Sequence, residues 1–521
     1  MNAERGTRNS ERKRRTQNSE RKWASTEFTP PSFLGKGVGG LGSSPLSPGG
    51  QLYTRRPPPP PYISRADGHC GRAHRLCPGV GQPLMPIILS LTGHIDLSKH
   101  RLSRVEALHW LAKGSVWFEG VGDAVIDTRV VRDAKRNPIL VITLHPAAIP
   151  VEIRLGASGR VRVTASTNPV GPGYHAYLCD LLRQFADDFD LTWDPSATSD
   201  PTGYFSFGNR AACEQHFLRW AAGVCASPRR HSSGSVSVGL PPGHGFSGNG
   251  SVLTPLGPRP QDWLAAVVAN PAQARDFFPW WNPELDAEFY RNRALTRLWC
   301  DFPWRPPLTE HEGELTEQVA NDLASAYKLD PAGELPWREW LEVLEAIEND
   351  QNGHTVTPTD PALTDAVTQR AWETAQAPTP VGYRRLPVRV GLCCGWSIEV
   401  PGDFAREWDG ERTWTGWNLS RTVWFHAVGF TKPDGSSPSP AEAVTVGRRS
   451  LPEGEPVPGI DREGVRGEAV FGEVEEDGRT VWRLSGVTAA DGQLVVCHVY
   501  TEDPTDRDWA IQTWHSLRHD E

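Results

Sequence analysis

His175 and Cys179 stand four residues apart in GPGYHAYLCD, residues 171–180. On a helix that spacing puts both side chains on one face. A thiol beside an imidazole can give up its proton and attack an electrophilic centre, the chemistry of Cys–His hydrolases and transferases. Gly171, Pro172 and Gly173 bend the chain into the start of that helix. Free backbone N–H groups near Tyr174 and His175 could there hold an anionic group of a ligand or partner. Against the nucleophile reading, Cys179 lies beyond the first helical turn, where the field that lowers a thiol pKa has faded. The plainer reading is a buried cysteine beneath an anchoring histidine.

Cys213 and His216 repeat the pairing at i,i+3. With His175 and Cys179 they would form a Cys2His2 donor set if the two helices packed face to face. Nothing in the spacing requires this, so two independent buried cysteines are expected, with no metal and no cofactor. Other chemistries fail on their motifs. No P-loop and no G-x-S-x-G elbow is present. The glycine run at 243–250 has no lysine and no buried strand before it. His311-Glu312 is not followed by a second histidine at zincin spacing, and the acidic stretch 187–194 lacks the glycine and terminal glutamate of a calcium loop. His69, Cys70, His74 and Cys77 match no zinc-finger spacing.

The elements that must position these groups centre on 277–307, FFPWWNPELDAEFYRNRALTRLWCDFPWRPP. Asn282 is a suitable N-cap and Pro283 suits a first turn, so a helix is predicted from there to about Cys300. Leu285, Phe289, Tyr290, Ala294, Leu295, Leu298 and Trp299 form its broad apolar face, and Trp280, Trp281 and Trp304 flank it. Such a segment nucleates a core or docks a partner. The binding residues it suggests are Trp280, Trp281, Arg291 and Trp304, beside Gly173, Tyr174 and His175 of the upstream turn.

The chain has 521 residues, enough for several domains. Residues 1–84 are low in complexity and carry 14 basic against 5 acidic residues, whereas the remainder has 40 against 58. We read 1–84 as a disordered tail, or as a stretch ahead of a true start at Met85. The acidic remainder makes nucleic acid an unlikely partner. No apolar run reaches the roughly 18 residues a spanning helix needs, so no membrane association is expected. Seven cysteines without regular spacing follow Met85 and fit reduced thiols in a cytoplasm.

An α+β multidomain architecture is predicted. Residues 85–226 should be a small antiparallel sheet backed by helices, with strands at Ile87–Leu91, Val116–Phe118, Ala124–Ile126 and Ile139–Leu144, a hairpin of Val151–Leu155 with Arg160–Ala165, and helices Ser103–Lys113, with Val105, Leu108, Leu111 and Ala112 inward, Tyr174–Asp188 and Arg210–Cys225. A linker, 227–260, leads to a helical domain, 261–350, and a second linker, 351–382, to a β-rich α/β sandwich at 383–521 with a closing helix, Pro504–Leu517. A long loop is expected at Thr431–Arg466. Trp396, Trp408, Trp414, Trp417 and Trp424 either fill the core of this last part or form a platform for sugars or bases.

Within that part, GWSIEVPGDF (Gly395–Phe404), LVVCHVY (Leu494–Tyr500) and DPTDRDWAIQTWHSL (Asp503–Leu517) resemble the PsbP-like α/β sandwich, over about a quarter of the chain. That resemblance implies binding or assembly rather than catalysis. GPGYHAYLCDLL and the 280–307 segment are similar to domains of accessory proteins in bacterial multi-gene, conflict-type systems built around AAA+ ATPases. This resemblance implies a protein partner, such as a component of an ATPase system, and assigns no catalytic residue. The leading expectation is a non-enzymatic bacterial protein acting by protein–protein contact. The alternatives are a Cys/His-dependent hydrolase or transferase and a small-ligand or carbohydrate-binding module.

Overall fold

The computed structural model describes residues 86–519, except 98–100, 122–123, 134, 227–235, 241–243, 247–250, 356–359, 375–379, 430–431, 433–435, 477 and 491. Residues 1–84, with His69, Cys70, His74 and Cys77, lie outside the described residues, as does most of the glycine run at 243–250. The fold is multidomain α+β. One unit spans 412–415 and 419–511, and the rest of the described chain forms the other.

The larger unit begins with six strands: β1 (Ile88–Ile95), β2 (Asp127–Arg132), β3 (Pro138–Thr143), β4 (Val151–Leu155), β5 (Arg160–Ser166) and β6 (Leu191–Trp193). They lie in the order β2-β3-β4-β5-β1-β6, all antiparallel. Alternation along β4 and β5 buries Val151, Ile153 and Leu155 with Val161, Val163 and Ala165 on one face. Helices α1 (Arg104–Gly120) and α2 (Pro172–Asp188) cover that face. Phe118 of α1 stacks on Phe185 of α2 with ring centroids 4.9 Å apart.

Val116–Phe118, predicted as a strand, instead ends α1. Ser103 and Glu106 form a reciprocal capping box that starts the helix. Ala107, Leu111, Gly114 and Phe118 then keep helical spacing against the sheet, so of the four residues expected inward only Leu111 is buried, and Val105, Leu108 and Ala112 face out. Residues 124–126 carry no strand, which begins at Asp127.

Further on come α3 (Tyr204–Phe207), α4 (Arg210–Ala226), α5 (Asp262–Ala269), α6 (Ala287–Cys300), α7 (Glu310–Leu329), α8 (Trp337–Glu348) and α9 (Pro361–Glu373). Phe277, Phe278 and Trp281 pack with Cys213, Phe217 and Ala221 of α4 in a second core. Helices α6 to α9 enclose a third around Leu298, Leu323, Trp340 and Val367. The described parts of 227–260 supply short strands. Val252–Thr254 pairs with Gly257–Arg259 and with Val236–Ser237, and His244–Phe246 pairs with Val388–Gly391.

Helix α6 starts four residues later than predicted. Asn282 does not cap it, because its Oδ1 accepts from the Arg210 guanidinium at 2.7 Å. Asp286 takes the role, its Oδ1 accepting from the Phe289 N–H at 2.8 Å. The stretch before it is held extended by pairing with 170–173, which a helix from 283 would crowd.

In the smaller unit, Arg421–Gly429, Gln493–Thr501, Arg479–Ala490 and Val465–Glu476 lie side by side in that order, antiparallel. The region expected to be a loop, Thr431–Arg466, contains helix Pro440–Gly447. Ser439 and Glu442 cap it reciprocally, and Ala443 and Val444 pack on Val487, Leu494 and Val496. Of the five C-terminal tryptophans, Trp396, Trp414, Trp417 and Trp424 are buried and so offer no surface platform.

Candidate functional site

Helix α2 starts where it does because Gly171 has φ +128, a conformation that L side chains rarely adopt, and Pro172 supplies a fixed φ at the first helical position. A Cβ on Gly171 would also meet the Trp280 carbonyl oxygen at 2.5 Å, and one on Gly173 would collide with the Asn282 carbonyl. The two backbones bond directly. The Gly173 N–H donates to Trp280 O at 3.1 Å, and the Trp280 N–H donates to Val170 O at 3.0 Å.

This placement puts His175 and Cys179, one turn apart on α2, both fully buried. A turn at 200–203, Asp200-Pro201-Thr202-Gly203, closes over them. The Asp200 carboxylate, its side chain 2% exposed, lies 3.2 Å from His175 Nε2. The Thr202 hydroxyl is 3.0 Å from the same nitrogen and donates to Asp200 Oδ1 at 2.8 Å. On the other side of the ring, Thr167 Oγ1 is 3.0 Å from Nδ1. Backbone N–H groups of Thr202 and Phe205 also donate to Asp200, at 2.8 and 2.7 Å. Arg183 of α2 stitches down the same turn by donating to the carbonyls of Tyr204 and Phe205 at 3.0 and 2.7 Å. Ligating atoms of His175, Cys179 and Asp200 all lie within 4.8 Å of one another. Buried Cys213 of α4 hydrogen-bonds Thr202 at the edge of this cluster.

The electrostatics follow from enclosure. Burial alone would raise the Asp200 carboxyl, but the His175 hydrogen bond and charge, with the Phe205 N–H and Thr202, outweigh it and hold it well below the usual carboxylate range. Burial, then the Asp200 charge, pushes the Cys179 thiol well above its ordinary value. Cys213 is pushed up to about 12, chiefly by burial. A nucleophilic cysteine needs the opposite shift and access for its substrate. A histidine, a thiol and a carboxylate therefore converge here, but in a closed interior.

Residues suggested as binding surface lie apart in exposure. Gly173, Tyr174, His175, Trp280 and Trp281 are buried. The upstream turn and the aromatic segment meet each other: the rings of Tyr174 and Trp280 are 5.6 Å apart. The Gly173 N–H is taken by Trp280 and the His175 N–H bonds the Gly171 carbonyl, so this helix start does not present them to an anion. Trp304, half-buried at φ +57, carries the Arg385 guanidinium 3.5 Å above its ring. Arg291 alone of the group lines an open cleft, of about 370 Å³, with Arg259, Asp276, Glu288 and Glu334.

Asp200 and Thr202 escaped the sequence reading. The only signal was DPTG, a turn motif whose side chains bond their own backbone; nothing local tied it to a histidine 25 residues earlier. His216, read as a possible fourth donor, is half-buried on α4.

No protein family matches the chain, and no curated protein matches it. Among solved structures, one similar chain comes from Bacteroides thetaiotaomicron VPI-5482, at 11% identity and TM-score 0.21, covering 25% of this chain and 47% of that one. Another is PsbP (CyanoP) from Synechocystis sp. PCC 6803, at 10% identity and TM-score 0.20, covering 28% of this chain and 98% of that one. The chain thus spans about half the length of the first. No described helix is long and apolar enough to cross a membrane.

Proposed function

We propose that this protein is a non-enzymatic, cytoplasmic assembly component that works by binding another protein, such as the ATPase of a bacterial multi-protein system. The observation that carries the reading is the outer face of α1. Val105, Leu108, Ala112 and Val116 recur at helical spacing on the side away from the sheet, and all four are exposed, Val105 at 75% and Val116 at 68%. The inner face already buries Ala107, Leu111 and Phe118. A helix apolar on both sides is ordinarily covered on both. Arg101, Arg104 and Lys113 flank the outer stripe, which favours a protein helix with an acidic margin.

The experiment is a pull-down from the native host with the full chain and with Val105→Asp/Val116→Asp. A stoichiometric partner recovered by the first and lost by the second, with unchanged circular dichroism, supports the reading. No partner, or one recovered equally by both, sinks it.

A further inference from the structure

The geometry points to a structural divalent-metal site, of zinc type, held by His175, Cys179 and Asp200 with Cys213 as the adjoining thiol. The argument begins with charge. A carboxylate 2% exposed needs a positive partner inside the same pocket. A metal ion between Nε2, the carboxylate and sulfur would supply it.

Three features favour the metal. First, the donor spacing fits. Ligands at about 2.0–2.3 Å from zinc, set tetrahedrally, stand roughly 3.3–3.8 Å from one another. His175 Nε2 and Asp200 Oδ1 are 3.2 Å apart, and Cys179 Sγ lies within 4.8 Å of both, a gap that a small side-chain rotation closes. Second, the far side of the ring is prepared. Nδ1 faces Thr167 Oγ1 at 3.0 Å, and that hydroxyl also reaches the Ile87 carbonyl at 3.3 Å. On metal binding, Nδ1–H would donate to Thr167 while Thr167 donates onward, and Nε2, which otherwise hydrogen-bonds Asp200, would turn its lone pair to the ion, the arrangement that orients metal-bound histidines. Third, two soft donors are at hand: Cys179 and Cys213 both border the pocket and both are buried.

Binding would release the Cys179 thiol proton, and that of Cys213 where it joins, leaving thiolates on the metal. The ion would tie together α2, the 200–203 turn and α4, three neighbouring stretches of the chain. With Cys213 as fourth donor the set would be closed, with no open position, and would stabilise rather than catalyse. This inference does not depend on any partner being found.

The test uses the full chain, purified without chelator and analysed for metal, then stripped and titrated with Co(II). The expected result is about one zinc per chain and a cobalt–thiolate charge-transfer band at about one equivalent. Both should be lost in Cys179→Ala and His175→Ala and kept in Cys394→Ala, whose thiol is exposed. Should the first two variants fail to fold, the wild-type titration still decides. No zinc and no cobalt band in the wild type would overturn the site. Metal retained by Cys179→Ala, or lost in Cys394→Ala, would overturn it equally.

Discussion

Asp322→Ala should be among the most damaging single substitutions in the larger unit. Asp322 of α7 is 3% exposed and bridges Arg293 and Arg297 of α6, themselves 7% and 2% exposed. Burial lowers the Arg297 pKa, and the Asp322 charge works against that shift. Removing the carboxylate leaves two like charges facing each other in a dry interior. Breaking a buried pair from one side costs about 3–5 kcal/mol. At about 2.1 cal/mol/K per residue, a unit of about 300 residues moves its midpoint by roughly 1.5 °C per kcal/mol, so thermal unfolding should fall by roughly 5–8 °C. The control is Glu288→Ala, which removes a half-exposed partner 3.9 Å from Arg291 and should change stability by no more than about 0.5 kcal/mol. Tryptophan fluorescence and circular dichroism on all three proteins read the outcome. A loss under about 1 kcal/mol in Asp322→Ala, or equal losses in both variants, would refute the claim that enclosure makes this carboxylate indispensable.

Gly173→Ala should destabilise by about 1–3 kcal/mol, because the added methyl has only the Asn282 carbonyl to meet; an unchanged denaturant midpoint would contradict the close approach. His498 of the smaller unit, stacked on Trp424, is held down to about 3 by burial and by Arg483. Its folded pKa lies below the unfolded one, so its contribution is present above about pH 6.5 and drains away as pH falls toward 3. Stability should drop by roughly 3 kcal/mol between pH 7 and 4, and His498→Gln should flatten that slope in urea titrations. Thiol-directed labelling of the native chain at neutral pH, mapped by mass spectrometry, should modify exposed Cys394 quickly and leave Cys179, Cys213, Cys300 and Cys497 untouched; rapid labelling of Cys179 would revive the nucleophile reading.

Strand alternation carried most of the fold. Strand β3 and the hairpin of β4 and β5 stand within a residue of the ranges their periodic patterns give. Helix starts misled where a side chain had a distant appointment. Asn282 has the right chemistry for a cap, but Arg210 claims its oxygen from 72 residues away. The start of α1 at its Ser103 capping box was legible, but its last two turns were read as a strand, and the box at Ser439 went unread at the expense of a whole short helix. The candidate site was half legible. The i,i+4 rule joined His175 to Cys179, whereas Asp200 reaches them only through a loop that tertiary packing folds back. Enclosure itself was invisible, since an aromatic-rich segment reads alike whether it meets a stranger or its own chain.

The pairing of 170–173 with 280–282 also sets a schedule for synthesis. The first sheet's core is not complete until Trp280, Phe289 and Tyr290 arrive. At about 5–20 residues per second, the ribosome needs on the order of 6–20 s to cover the about 110 residues between the two segments. Through that interval the emerging polypeptide holds an open apolar seam at Tyr174 and Leu178, and so is exposed to chaperones, to proteases and to other copies of itself.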